Sequence, residues 1–342
     1  MPRHRHRQRS THAFIGAVAL LLIPCSCRSQ DDSPQVPHTP RTPPGAQALH
    51  DRLPAEKDLG KRALAEVETI VGFGPRIPGS KARQQAAGHI VKQLTALGFK
   101  PRREPFVADE EKIRFENIRC PIPGRSPRVL ILGTHYDTKR SLSEVPPPGS
   151  RHFQGANDGG SGTGLLLALA KDLASLDKKD RPSLELVFFD GEESLDVAWN
   201  SARRALHGSR HFAKKHLAKG HAYGGMILLD MVGSKKLAID LDEASTATLV
   251  PPFRAAARAL HYQKFFFQQK TEVVDDHVPL LEKGLPCLDL IQFEKNPEWH
   301  THDDDLEHLS ARSLAIVGRT LWWALPRLEK LLLTPAKKNE KK

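Results

Sequence analysis

Glu192 and Glu193 stand side by side just beyond the largely apolar run 184–189. Neighbouring carboxylates at a strand end repel each other unless a cation compensates at least one of them, and such a pair offers one metal ligand and one general base. Five further segments place acids and imidazoles in comparable positions: His135-Tyr-Asp-Thr-Lys139, Ala156-Asn-Asp158, Leu229-Asp230-Met, Asp275-Asp-His277 and Trp299-His300-Thr. Residues i and i+2 at a strand end point the same way, so Asp137 can orient the ring of His135. Asp158 precedes Gly159-Gly-Ser-Gly162, a turn that lets the chain bring a carboxylate close to its neighbours. With His300 the set supplies nitrogen and oxygen donors and no thiolate, which suits a catalytic zinc with an open position. His302 competes with His300 as a ligand, and Trp299 beside His300 favours the latter. A single strand-end acid is an ordinary turn residue; the conjunction of segments is what points to chemistry.

These side chains can meet only if their strands end at one rim. The runs 129–132, 184–189 and 226–229 are apolar enough to be buried on both faces, and open α/β folds place their active sites at the carboxyl ends of such strands. Helices are expected between them. Ser80 caps one in which Ala82, Ala86, Ile90, Leu94 and Leu97 recur at helical spacing and which Gly98 ends. Others are expected over 162–176, 201–217, 252–261 and 311–332, the last with a kink at Pro326. The alternation predicts an α/β fold with a mixed, mostly parallel central β-sheet flanked by helices on both faces.

A chain of 342 residues with 39% hydrophobic content can bury one large core, and nothing in it demands two. The net charge of +11 sits mainly at the ends: four arginines precede Phe14 and the tail 336–342 is basic, leaving about +4 for the rest. No basic helix with interleaved aromatics and no zinc-finger spacing is present, so nucleic acid is not an expected partner. Residues 1–27 read as a signal peptide or lipoprotein signal, with a basic start at 3–9 and an apolar stretch at 13–23 too short to span a bilayer. Leu22-Ile-Pro-Cys25 resembles a lipoprotein cleavage site with Pro24 where a small residue is usual, and Cys27 is a second choice. Lipid anchoring to a membrane and plain secretion both stay open, and the expected location is periplasmic or extracellular. Residues 28–50 read as a disordered Pro-rich linker and 51–335 as a single catalytic domain, expected to be a monomer. Cys120 and Cys287 fall in expected strands and could be bridged or free. His207 and His211 lack the glutamate of a zincin pair and read as surface residues, while His216, His221 and His308 lie among charges and read as solvated.

The order His-Tyr-Asp, Ala-x-Asp, Glu-Glu, Leu-Asp and a final His resembles the zinc-dependent M28 peptidase superfamily across roughly residues 60–330. Within it the chain is similar to the glutaminyl-peptide cyclotransferases of animal type, on His135-Tyr-Asp-Thr-Lys139, Phe188-Phe-Asp-Gly-Glu-Glu193, Trp199 in an insertion at 194–207, Asp275-Asp-His277 and Glu298-Trp-His-Thr301. The resemblance implies a zinc aminopeptidase-like fold and one zinc held by Asp158, Glu193 and His300, with Glu192 as proton shuttle. It also implies a carboxylate network joining Asp230 and Asp275 to Glu192, Trp199 and Trp299 shaping the pocket entrance, and peptides or proteins with N-terminal glutamine as substrates. In related aminopeptidases the residues matching His135, Asp158 and Asp230 bind a second zinc, so two zinc ions and hydrolysis of N-terminal residues stand as the alternative. A zinc-retaining protein without catalysis would lack the base, and Glu192 is present. Two departures stand out: the animal cysteine pair near His135 is absent, with Gly133-Thr134 there instead, and Asp289 occupies a position where histidine is expected.

Overall fold

The computed structural model describes residues 44–108, 110–142, 153–197 and 204–333. The expected signal segment, most of the linker, Trp199 and the basic tail lie outside the described residues. The folded body begins earlier than residue 51. Pro44–Asp51 forms helix α1, in which Leu49 is buried and its carbonyl accepts a 2.7 Å hydrogen bond from the Trp322 indole. The last residues of the expected linker are therefore part of the core, because one leucine there has a tryptophan to pack beneath.

Helices α2 (Glu56–Gly72) and α3 (Lys81–Ala96) follow, the second capped by Ser80 Oγ, which accepts from Arg83 N–H at 3.1 Å. Helix α2 was not expected from the sequence, although Leu59, Ala63, Val67 and Ile70 form a buried stripe at helical spacing. Strands β1 (Arg102–Ala108), β2 (Ile113–Ile122), β3 (Val129–His135), β4 (Leu184–Phe189), β5 (Tyr223–Asp230) and β8 (Cys287–Ile291) make one sheet in the order β1-β2-β4-β3-β5-β8. The β1–β2 and β2–β4 pairs are antiparallel, and β4, β3, β5 and β8 run parallel. The expected mixed, mostly parallel sheet is what forms. Strands β6 (Ile239–Asp242) and β7 (Phe266–Thr271) make a separate parallel pair.

Period-two alternation sends side chains to two cores. Leu130, Leu132, Leu186, Phe188, Ile227 and Leu229 join the larger one, shared with α2, α4 (Gly160–Ala174) and α8 (Ala311–Leu328). Ile131, Val187, Phe189, Met226 and Leu228 point to the opposite face, against α5 (His207–His216) and α7 (Val278–Leu281). Helix α6 (Val250–Ala259) packs on α8, which passes through Pro326 and then widens into a π turn at Glu329–Leu333. Cys120 and Cys287 are both buried free thiols.

Two histidine readings are corrected. His207 is buried against the Phe115 ring at 4.8 Å, because α5 lies across β2 rather than in solvent. His216 is not solvated: its Nε2 sits 2.9 Å from Glu104 Oε1, and Lys215 and Arg119 meet the same carboxylate. Burial alone would raise the pKa of Glu104, but Lys215, His216 and Arg119 outweigh it and hold it at about 2. A folded-state pKa below the unfolded value stabilises the fold above the unfolded pKa, and the contribution disappears as pH falls towards the folded one. Lys215 is half exposed and screened, so the net contribution is on the order of 2 kcal/mol. Denaturant titration of Glu104→Gln is expected to show that loss at pH 7 and a flatter stability profile between pH 5 and 2. A profile parallel to the parent's would remove Glu104 from the account of acid sensitivity.

Candidate active site

The parallel strands deliver their carboxyl ends in register, His135 opposite Phe189 and Asp230 opposite Ile291. His135 is the buried centre of the cluster. Its Nε2 lies 3.2 Å from Asp158 Oδ1 and 3.2 Å from Asp230 Oδ1, and its Nδ1 lies 3.5 Å from Asp137 Oδ1. Burial alone would favour the neutral ring, but Asp137, Asp158 and Asp230 prevail and raise its pKa well above the ordinary value.

Asp158 reaches this point through the glycine turn. Gly159 has φ +77°, and a Cβ there would meet Asp137 O at 2.6 Å. At Gly162 a Cβ would meet Thr134 Oγ1 at 2.2 Å, so only glycine lets α4 start pressed against β3. Asp158 Oδ2 and Glu193 Oε2 both face His300 Nε2, at 3.5 and 3.3 Å. His300 holds that position in a left-handed conformation, φ +52°, which is uncommon for a non-glycine residue and is stored where structure over-determines it. Trp299 stacks on its ring at 4.2 Å and meets Phe293 edge-on at 4.8 Å. Two donor sets thus share Asp158: His135, Asp158 and Asp230, and Asp158, Glu193 and His300, each with atoms within 4.8 Å of one another. His302 is in neither set.

Glu192 stands outside both sets. Its backbone N–H and that of Glu193 donate to the two oxygens of Asp137, at 3.2 and 3.3 Å. Asp137 therefore fixes the Glu-Glu turn as well as facing His135. Burial raises the Glu192 pKa well above the carboxylate range, His135 opposes this, and Asp275, Glu193 and Asp276 reinforce it. Burial likewise lifts Asp230 to about 7. Glu192, Asp230 and Asp275 line a 240 Å³ cavity with Asp158, Glu193 and His300; Met231, Val273, Ile291, Phe293 and Trp299 form its apolar wall.

Sequence reasoning missed the clamp behind Asp158. Arg76 is fully buried and donates to the carbonyls of Tyr136 at 3.2 Å, Gly155 at 2.7 Å and Gln154. Burial pushes its pKa down to about 10, against the pull of Asp304, Asp137 and Asp158. Asp304 accepts the N–H groups of Asn157 at 2.6 Å and Asp158 at 3.1 Å, and burial lifts it to about 7. The sequence signal was Asp304 itself, three residues after Thr301 in an acidic run that reads as solvent-facing. Asp190, also in the Glu-Glu segment, is committed elsewhere: it binds Arg83 Nη1 at 2.7 Å and the Glu116 N–H at 2.6 Å.

The fold recurs in known proteins. A crystal structure of an Acidobacteriales bacterium glutaminyl cyclase superposes with TM-score 0.72 at 31% identity, covering 81% of this chain and 96% of its own. A Zn-dependent exopeptidase from Parabacteroides distasonis superposes with TM-score 0.69 at 26% identity, covering 80% and 98%. A glutaminyl-peptide cyclotransferase from Boiga irregularis is 29% identical over 281 residues, 72% of this chain and 75% of that protein. The profile of Peptidase family M28 matches residues 117–324, a stretch that runs from β2 into α8 and holds every residue of both donor sets. By its fold, its strand-end acids and that match, the chain belongs to peptidase family M28.

Proposed function

We propose that this chain is a glutaminyl-peptide cyclotransferase, converting N-terminal glutamine of peptides or proteins to pyroglutamate with release of ammonia. The observation that carries the reading is the setting of Glu192. It lies outside both donor sets, with a raised pKa, beside Asp230 and Asp275 in an apolar-walled cavity of a chain that aligns along 96% of a solved glutaminyl cyclase.

Zinc fits the donors present. Asp158 Oδ2 and both carboxylate oxygens of Glu193 are buried with no hydrogen-bond partner among the described residues, and they surround an imidazole nitrogen. Asp158, Glu193 and His300 would hold the ion, which when bound supplies Lewis-acid polarisation of the substrate's γ-carbonyl. The α-amino nitrogen of the substrate attacks the γ-carbonyl carbon, forming the ring C–N bond. Glu192 takes a proton from that nitrogen and returns it to the departing amide nitrogen, so the old C–N bond breaks and ammonia leaves. Asp230 orients the amide, and the wall around Trp299 keeps water from competing with the amine. The basic and apolar leader at 3–23 supports placing this activity outside the cytoplasm.

The second reading, a two-zinc aminopeptidase, is favoured by the set His135, Asp158 and Asp230, which shares Asp158 with the first. Mass spectrometry of the protein incubated separately with Gln-initiated and Leu-initiated peptides separates the two. Loss of ammonia from the first with the second intact is expected; release of free leucine, with two zinc ions per chain, would replace the cyclase reading with the hydrolase one.

A further inference from the structure

The pair β6–β7 stands apart from the main sheet, and one of its side chains reaches the wall of the cavity through a turn. Asp240, in β6, is fully buried. The ladder to β7 shifts register between Ile239 and Leu241, and irregularities of this kind re-aim a side chain. Asp240 Oδ2 accepts the backbone N–H of Phe293 at 2.7 Å and that of Glu294 at 2.9 Å. Both donors lie just beyond the end of β8, so a side chain serves where the ladder no longer does. Gln292, also fully buried, pins the same turn: its Oε1 accepts the Ala238 N–H at 2.9 Å, and its Nε2 donates to Lys295 O at 2.7 Å. Asn296 closes the turn by donating to Gln292 O at 3.2 Å, and its own carbonyl accepts the Trp299 N–H at 3.1 Å. What the turn carries is Phe293, whose ring meets Trp299 edge-on and lines the cavity with it. Asp240 itself does not line the cavity and belongs to no donor set, so what it does there it does through the turn.

We propose that Asp240 is a positioning residue for the apolar wall. By holding the turn 292–296 it fixes the Phe293 ring against Trp299, and through that wall it sets how tightly the N-terminal residue of a substrate is held. It does not set how fast protons move. Glu192, Asp230 and Asp275 hang from other segments, beyond the ends of β4, β5 and β7, so loosening the turn leaves them in place. Phe293 and Trp299 pack on buried Met231, Val273 and Ile291, and a ring that leaves this cluster takes apolar contact away from the bound substrate and admits water in its place. The separate pair of strands thereby gains a role: it buttresses the side of the cavity that forms past the end of β8.

This inference deepens the cyclase reading and rests on it for the choice of substrate. With a Gln-initiated peptide, Asp240→Ala is expected to raise KM about 10-fold, the scale of part of one aromatic ring's burial, with kcat and metal content little changed. Asp240→Asn, whose amide oxygen can still accept both N–H groups, recovers most of that loss. Equal impairment of the two variants would show that the group acts by its charge, and the proposal would be wrong. A double-mutant cycle with Phe293→Ala tests the route. Because Asp240 acts through that ring, the double variant is expected to have the KM of Phe293→Ala alone; KM increases that multiply would overturn the proposal. A lowered Tm in Asp240→Ala with an unchanged KM would also overturn it, leaving Asp240 a purely structural residue. Hydrogen exchange of the segment 292–299, faster in Asp240→Ala and parental in Asp240→Asn, reads the grip without any reaction, and unchanged exchange in Asp240→Ala would remove the grip. Should the parent release leucine from a Leu-initiated peptide rather than cyclise, the cyclase reading falls alone, and the same cycle is read with that peptide, since the wall serves either reaction.

Discussion

The Glu192→Gln protein is expected to turn over a Gln-initiated peptide about 100- to 10,000-fold more slowly than the parent, the usual range for removing a positioned general base, with metal content unchanged. The amide has the shape of the carboxylate and can still accept one hydrogen bond, but it has no site on which to carry a proton from the attacking amine to the leaving nitrogen. The loop is not expected to move, since Asp137 holds it through the backbone N–H groups of residues 192 and 193 rather than through the altered side chain. Nor is Glu192 in either donor set, so metal retention separates a lost base from a lost site. Steady-state kinetics with zinc determination on the same preparation reads both. Turnover at the parental rate would show that some other group moves the proton.

His300→Ala gives the opposite pattern, with metal lost and rate lost together. His300 supplies the only nitrogen to the set it forms with Asp158 and Glu193, so its removal leaves Glu193 without its imidazole partner and Asp158 with that of His135 alone. Outer-sphere partners of metal ligands already cost 10- to 100-fold in affinity when removed, and loss of a ligand is expected to exceed about 100-fold. Zinc per chain after dialysis should fall from that of the parent towards zero. Thermal unfolding gives an independent check. A ligand that binds only the folded state stabilises it by mass action, so chelation should lower the parental Tm and leave that of the variant unmoved. A variant that keeps its zinc would place the ion in the other set, with His135, Asp158 and Asp230.

What the sequence discloses follows from how its residues are buried. Strands buried on both faces cannot hide: 226–229 is apolar throughout, and Asp230 stands out at its end. The helix at Glu56–Gly72 went unread because charged residues interrupt its stripe, and the stripe is visible only when every third or fourth residue is followed. Buried charges are harder still. Arg76 and Asp304 look like surface residues, since a one-dimensional string carries no sign of the carbonyls and N–H groups that satisfy them in the folded chain. His207 misled for the same reason: its partner, Phe115, lies on a distant strand. Glu192, Glu193 and His300 were legible because apolar surroundings or an aromatic neighbour marked them as inward-facing.

The loop that carries Asp158 is gripped from one side by Arg76 and from the other by Asp304, two residues that leave the ribosome far apart in time. His300 arrives with the second grip. A growing chain that has completed β3 and the Glu-Glu segment already contains most of the acids of both donor sets, yet only the Arg76 grip on the Asp158 loop can form until the last quarter of the protein is made. The centre is therefore a late product of synthesis. A chain stopped short of residue 300 would lack one ligand and one grip, so competence to bind metal in this set would report that the body through Asp304 has closed.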